Sequence, residues 1–367
     1  MNNNFRAIVV ILIALLLVVG VCGGLVFLLA GDQIIDGVRT ALLKLAISGR
    51  EDDLQTSVSS DNTPVRFRVA PGDAPAVIAA NLVQSNLILD AGLFVDYVRA
   101  ESLDVELEAG TYFLNQAQTL SEIAMALTDS RFSSIPFTIF PGWRLEQVVE
   151  TIDANPLFAF SGADFMAVVG AGVEFDPVFA QRVGLPAGAS LEGFLYPNTY
   201  SLAPEITPEM LRDTLTNAFL VGISGQTEQD AAVSGYSLYE IVTMASIVQR
   251  EAVRIDEMPR IAGVYFNRLN IDMKMDADPT VQYALGKSRG DWWAQITQAD
   301  YQNVVSAYNT YLQTGLPPGP IANPSLEAIR AAIYSEESNY FYFRADCRDD
   351  GYHDFARTFD EHLANGC

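Results

Sequence analysis

Glu192 stands in LEGFLYPNTY (191–200) as the only charge between Gly188 and Ser201. A carboxyl among aromatic side chains loses solvation of its ionised form. Its pKa rises, and it holds a proton near neutral pH, as a general acid must. If 190–196 is extended, the period of two puts Glu192, Phe194 and Tyr196 on one face. With Tyr200 these rings offer stacking surface to a sugar. The rival reading is a loop acid at the edge of a packed strand. Glu251 is a second acid, at the border of the apolar stripe Ile241, Met244, Ala245, Val248 and Ala252. There it either enters a cleft or pairs with Arg250 or Arg254. Farther on, residues 265–286 carry groups that hydrogen-bond polyols: Asn267, Arg268, Asp278, Thr280, Gln282 and Tyr283. The segment SAYNTY (306–311) adds Tyr308, Asn309 and Thr310.

Other chemistries are short of residues. The chain has two histidines, His353 and His362, and no G-x-S-x-G turn for a serine triad. No phosphate-cradling glycine loop is present. Only three lysines occur, Lys44, Lys274 and Lys287, which leaves little for Schiff-base chemistry. Asp276 and Asp278 lack further oxygen ligands for a metal, so neither metal nor cofactor is expected. With 45 acids against 22 bases the net charge is −23, and no basic stripe offers itself to nucleic acid.

The elements that must position these groups can be read in outline. "VRFRV" alternates like a strand, "APGD" turns, and helical spacing follows. "IPFTIFPGW" at 135–143 echoes that strand and Pro-Gly turn. Thr119 with Glu122 and Ser237 with Glu240 have capping-box spacing. Thr207-Pro208, Asp278-Pro279 and Asn323-Pro324 read as helix starts. Between the last two, "TGLPPGPIANP" is a loop stiffened by four prolines. Helices dominate after residue 205, and the mixture reads as α+β.

Residues 7–30 are an uncharged run of 24, long enough as a helix (~36 Å) to cross a bilayer and too long for the core of a cleaved signal. The expectation is a membrane anchor with a cytoplasmic tail over 1–6 and a polar juxtamembrane stalk over 31–63. Orientation by flanking charge is weak, so the placement of the body outside the cell rests on the shortness of the tail. Cys347 and Cys367 either pair in an oxidising exterior or stay free.

Five ordered segments together resemble the endolytic murein transglycosylase family, the YceG-like proteins: LEGFLYPNTY, ASIVQREA, VYFNRLNIDMKMDADPTVQYALG, AYNTYLQTGLPPGPIANPSLEAI and YFYFRADCRDDGYHDFARTFDEH. Order and spacing fit from about residue 64 to 363. The resemblance implies a single-pass plasma-membrane enzyme whose body faces the wall. It implies a LysM-like module over 64–132 and a helix-rich catalytic domain over 133–367. It also implies cleavage of MurNAc–GlcNAc bonds in nascent glycan strands, leaving 1,6-anhydro ends, and contact with peptidoglycan synthases. The family's catalytic glutamate falls on Glu192; the expected substrate contacts are Phe194, Tyr196, Tyr200, Glu251, Asn267, Arg268, Asp278, Thr280, Gln282, Tyr308, Asn309 and Thr310. One such acid suffices: it protonates the leaving oxygen, then takes the proton of the sugar's own attacking 6-hydroxyl. The chain departs from the family pattern at Phe140, Gln249 and Asp276. A rival reading is a glycan-binding scaffold without catalysis.

Overall fold

A computed structural model describes residues 41–129, 133–223 and 225–366. The chain divides into two compact units between Ser134 and Ile135.

In the first unit, Val65–Val69 (β1) pairs antiparallel with Gly110–Leu114 (β2), Val65 opposite Leu114. Pro75–Gln84 (α1) and Ala91–Ala100 (α2) lie between the strands in sequence, and Leu120–Ala126 (α3) follows them. Strand alternation turns Phe67 and Val69 inward, where they join Ile78, Leu82, Phe94, Val98, Leu114 and Ile123 in one core. The Thr119–Glu122 capping box forms as the spacing predicts. The expected stalk does not stand free over its described end. Leu54 enters the core, Arg50 pairs with Asp90 at 2.9 Å, and Ser57 bridges to Thr119. Two apolar residues, Leu54 with Ile47 packed beside the same core, dock it. The expected anchor and tail lie outside the described residues, among which no single helix is long and apolar enough to cross a membrane.

The second unit opens on the same shape. Ile135–Thr138 (β3), Leu145–Ala154 (α4), Gly162–Val169 (α5), Pro177–Val183 (α6) and Thr199–Leu202 (β4) follow in order. β3 and β4 pair antiparallel. Pro208–Gly222 (α7), Gln226–Val233 (α8), Leu238–Glu251 (α9), Met258–Leu269 (α10), Asp278–Leu285 (α11) and Leu326–Ile333 (α12) come next. A hairpin of Tyr342–Ala345 (β5) and His353–Ala356 (β6), then Phe359–Ala364 (α13), end the described chain. α9 is the central helix. Its residues from Ile241 to Val248 are all buried, and α10 and α12 pack against it. The described strands form three separate two-stranded antiparallel sheets among these helices, which is an α+β architecture. Cys347 is disulfide-bonded, while Cys367 lies outside the described residues.

Three local expectations are corrected. Residues 190–196 form no strand: Phe194 N–H bonds the Leu191 carbonyl in a turn through Gly193. Asp278 is the first helical residue of α11, not its cap, and its carboxylate receives the hydroxyls of Tyr311 (2.6 Å) and Tyr301 (3.4 Å). Ser325, not Asn323, caps α12, and this frees Asn323 for the site described next.

Candidate active site

The turn at 191–194 aims Glu192 at the start of α4. Both carboxyl oxygens receive the backbone N–H of Leu145, the first residue of that helix, at 3.1 and 3.0 Å. A helix start has spare N–H groups and a positive dipole end, so it is a natural seat for a carboxylate. Yet Glu192 is only 3 % exposed. Burial pushes its pKa up to about 8; the Leu145 N–H and Arg144 pull against it, while Glu146 adds to it. The seat is therefore one where the carboxyl keeps its proton at neutral pH and still has a donor waiting for the charge once the proton leaves.

Arg144 and Glu146 complete the surroundings. Arg144 is 3 % exposed and grips both oxygens of Glu146, at 3.1 and 3.2 Å. Its guanidinium lies 4.2 Å over the Tyr283 ring and 4.8 Å over Trp292. Tyr283 and Tyr308 sit with ring centres 4.7 Å apart. The hydroxyl pKa of each is raised, by burial first and by the charge of Glu192 among the other causes, so both lie within range of the glutamate's field. The loop after α11 covers α4: Trp292 Nε1 donates to Glu150 (3.0 Å), Trp293 Nε1 to Gln147 (3.1 Å), and Lys287 pairs with Glu150 (2.6 Å). Arg250 stacks on Trp293 at 4.0 Å.

The sequence-derived contacts divide. Tyr308, and Tyr283 with it, lie within the field of Glu192. Phe194 does not: fully buried, its ring packs among Phe179, Phe219 and Tyr239 at 5.1–6.0 Å, as core rather than stacking surface. Tyr196 lies against Gly222, and Tyr200 donates its hydroxyl to the Tyr196 carbonyl. Thr280 and Thr310 share a buried hydroxyl pair at 2.9 Å, and buried Asn309 donates to the carbonyls of Tyr301 and Val304. Asn267 bonds the carbonyls of Ser338 and Tyr340, and Gln282 those of Trp293 and Ala294. These groups hold loops, and their amide and hydroxyl donors are used inside the protein. Glu251, Arg268 and Asp278 line a cavity of about 590 Å³ that Glu192 does not line. There Glu251 receives the Tyr265 hydroxyl at 2.7 Å, and burial raises its pKa to about 7, with Tyr265 opposing and Asp278 assisting.

The model of the YceG-like family matches residues 67–366. The chain belongs to this family. It is 28% identical over 323 residues to a protein named endolytic murein transglycosylase from Bacillus subtilis, covering 84% of this chain and 86% of the relative. A Streptococcus pneumoniae protein of the same name is 28% identical over 300 residues, 77% of this chain, and the chain spans about half (54%) of that relative's length. The 2.6 Å crystal structure of a YceG-like protein from Listeria monocytogenes superposes with a TM-score of 0.54 at 29% identity, covering 83% of this chain and 99% of the other.

Asn323 is the polar residue of this YceG-like site that sequence reasoning misplaced. Fully buried, it accepts the Leu195 N–H (3.0 Å) and donates to the Trp143 carbonyl (3.0 Å), while its own backbone carbonyl takes the Gly142 N–H (2.8 Å). It fastens the Glu192 turn to the Pro-Gly-Trp turn that precedes α4. Asn323→Ala orphans one buried donor, the Leu195 N–H, while the Trp143 carbonyl keeps the Asn323 backbone N–H at 2.8 Å; the change costs about 1–3 kcal/mol. Urea unfolding is expected to show that loss. Arg144 and the Trp pair were missed outright; two adjacent tryptophans out of three in the chain were the available signal.

Proposed function

We propose that this YceG-like protein is a membrane-anchored endolytic lytic transglycosylase. It cleaves MurNAc–GlcNAc bonds within nascent strands to 1,6-anhydro ends, with Glu192 as its one acid and base. The observation that carries the reading is the Glu192 seat: a buried carboxyl, protonated at neutral pH, held by the Leu145 N–H. The acid whose charge Glu192 feels, Glu146, is tied by both oxygens to Arg144. A hydrolase needs a second free carboxylate to activate water or attack the sugar. A transglycosylase needs none, because the 6-hydroxyl is the nucleophile and Glu192 takes its proton. The names of the bacterial relatives support the same substrate. The β1–α1–α2–β2 order of the first unit supports a LysM-like glycan-binding module. The uncharged run at 7–30 supports an anchor with the body outside, beside the synthases that make the strands. The test is digestion of purified sacculi with the full chain and mass spectrometry of the products. New anhydro-muropeptides are expected; sacculus binding without them would favour the scaffold reading.

The Glu192 pKa sets a pH dependence in both activity and stability. The general acid must be protonated, so turnover falls as pH rises through about 8. For stability, the folded pKa of about 8 lies above the ordinary 4.5, so between these values the folded state binds the proton more tightly. Stability from this group is full below about pH 4.5 and is lost as pH climbs to 8. Each unit of difference is worth ~1.4 kcal/mol. Unfolding of wild type and Glu192→Gln compared from pH 5 to 9 is expected to show wild type losing ground by a few kcal/mol.

A further inference from the structure

The cavity that Glu251 lines belongs to no step of the reaction just described, and its lining carries both signs of charge. Asp276, Asp278 and Glu251 line it. They crowd one another: Asp278 raises the pKa of both other acids. Arg268 and Arg344 line it as well, Arg268 beside Asp276. Arg268 is spent, with donors on the carbonyls of Phe341 (2.6 Å) and Met275 (2.5 Å). The Arg344 guanidinium makes no hydrogen bond or ion pair among the described residues. Asp276 reaches only Arg268, at a loose 3.6 Å, and is part-exposed. Tyr311, beside Asp278, and Tyr342, beside Arg268, add aromatic surface to the lining. Acidic side chains and aromatic faces in one lining together suit an organic ammonium, which both attract.

We propose that this cavity binds a zwitterionic amino-acid head, the free ammonium and carboxylate at the distal centre of a diamino diacid in an uncross-linked peptide stem. The ammonium lies between Asp276 and Asp278, and the carboxylate takes a two-pronged grip from Arg344. The position suits a substituent of the strand cut at Glu192, and to that extent the assignment rests on the transglycosylase reading. Asp278 begins α11, and Tyr283, within range of the Glu192 field, lies five residues along the same helix, a rise of ~7.5 Å. The third stem residue hangs ~10 Å from the sugar when extended. A stem cross-linked through its distal amine has lost that ammonium, so the cavity would reject acceptor stems and take stems whose distal amine is still free.

The test titrates the full chain in detergent with the free stem tripeptide, by calorimetry. Arg344→Met and Asp276→Asn are each expected to weaken binding at least ten-fold. Asn keeps the left-handed backbone of Asp276 (φ 47°), and Arg344 is half-buried on a hairpin, so neither change threatens the fold. Amidating the ligand's distal carboxylate weakens wild type equally but leaves Arg344→Met indifferent. No tripeptide binding by wild type, or unchanged binding by both variants, overturns the proposal. Digestion of stem-free glycan strands is expected to be unaffected by either variant. If no strand is cut while tripeptide binding and its loss hold, the transglycosylase reading fails and the cavity assignment stands.

Discussion

Glu192→Gln removes at least about 10³-fold of the anhydro-muropeptide yield and leaves the protein folded. A positioned acid or base contributes ~10²–10⁴-fold, and here one residue is assigned both duties. The amide is nearly isosteric, and its oxygen still accepts the Leu145 N–H, so the turn keeps its anchor. The variant exchanges a buried carboxyl, costly to ionise, for a neutral group with an unpartnered NH₂. At pH 5 the second effect dominates and stability drops slightly. At pH 9 relief from the buried charge dominates and the variant is the more stable. Glu192→Asp draws the carboxyl back by one methylene, away from the Leu145 N–H, and should lose most activity as well, since misplacement by ~1 Å can cost ~10². Timed digestion of sacculi with quantified anhydro products decides it. Residual activity above one-tenth of wild type would remove Glu192 from the acid–base role.

The local signals along the chain were readable because they are local. The cap residues Thr119, Thr207 and Ser237 begin helices where their spacing says they should. The importance of the Glu192 stretch also showed, because an isolated acid among aromatics is unusual in any fold. Its conformation did not. Alternating side chains in LEGFLYP suggest a strand, but Gly193 permits a turn, and the pull of the α4 N-terminus on the carboxyl lies 47 positions away in sequence. The polyol-type residues were misjudged for a related reason. Asn267, Thr280, Asn309 and Thr310 have the chemistry to bind sugars, but irregular segments leave backbone groups without partners: the first three donate to main-chain carbonyls, and Thr310 accepts the Ala277 N–H. Donor chemistry in a sequence does not say whether the acceptor is a ligand or the protein's own main chain. Arg144 was hidden more deeply still: its partners Tyr283 and Trp292 come from α11 and the loop after it.

Gly193→Ala is expected to damage the protein more than any other single methyl group added near the site. Gly193 has φ +88°, a region that costs an L-residue ~1–2 kcal/mol. A Cβ there would lie 2.6 Å from Pro320 Cβ, 2.7 Å from Pro320 Cγ and 2.9 Å from Val242 Cγ1. None of these is the tip of a flexible side chain. Pro320 sits in the four-proline loop, and Val242 is on the buried face of α9. Overpacking of this kind adds ~1–3 kcal/mol, so the total loss is about 2–5 kcal/mol. Gly188→Ala is the matched control: it has φ +79° but open space around its would-be Cβ, so it bears the strain and not the clash. Equal destabilisation of the two variants by urea unfolding would show that packing behind Glu192 is soft. The expected inequality shows the reverse, and activity follows it. Because Pro320 and α9 cannot yield, the turn itself must move, carrying Glu192 off the Leu145 N–H. The folded fraction of Gly193→Ala should therefore cut glycan at least ten-fold more slowly than Gly188→Ala, a loss beyond what unfolding alone explains. The glycine beside the acid is thus required by what stands behind it: only a residue without a side chain lets the turn lie flat on α9 while its glutamate reaches forward to α4.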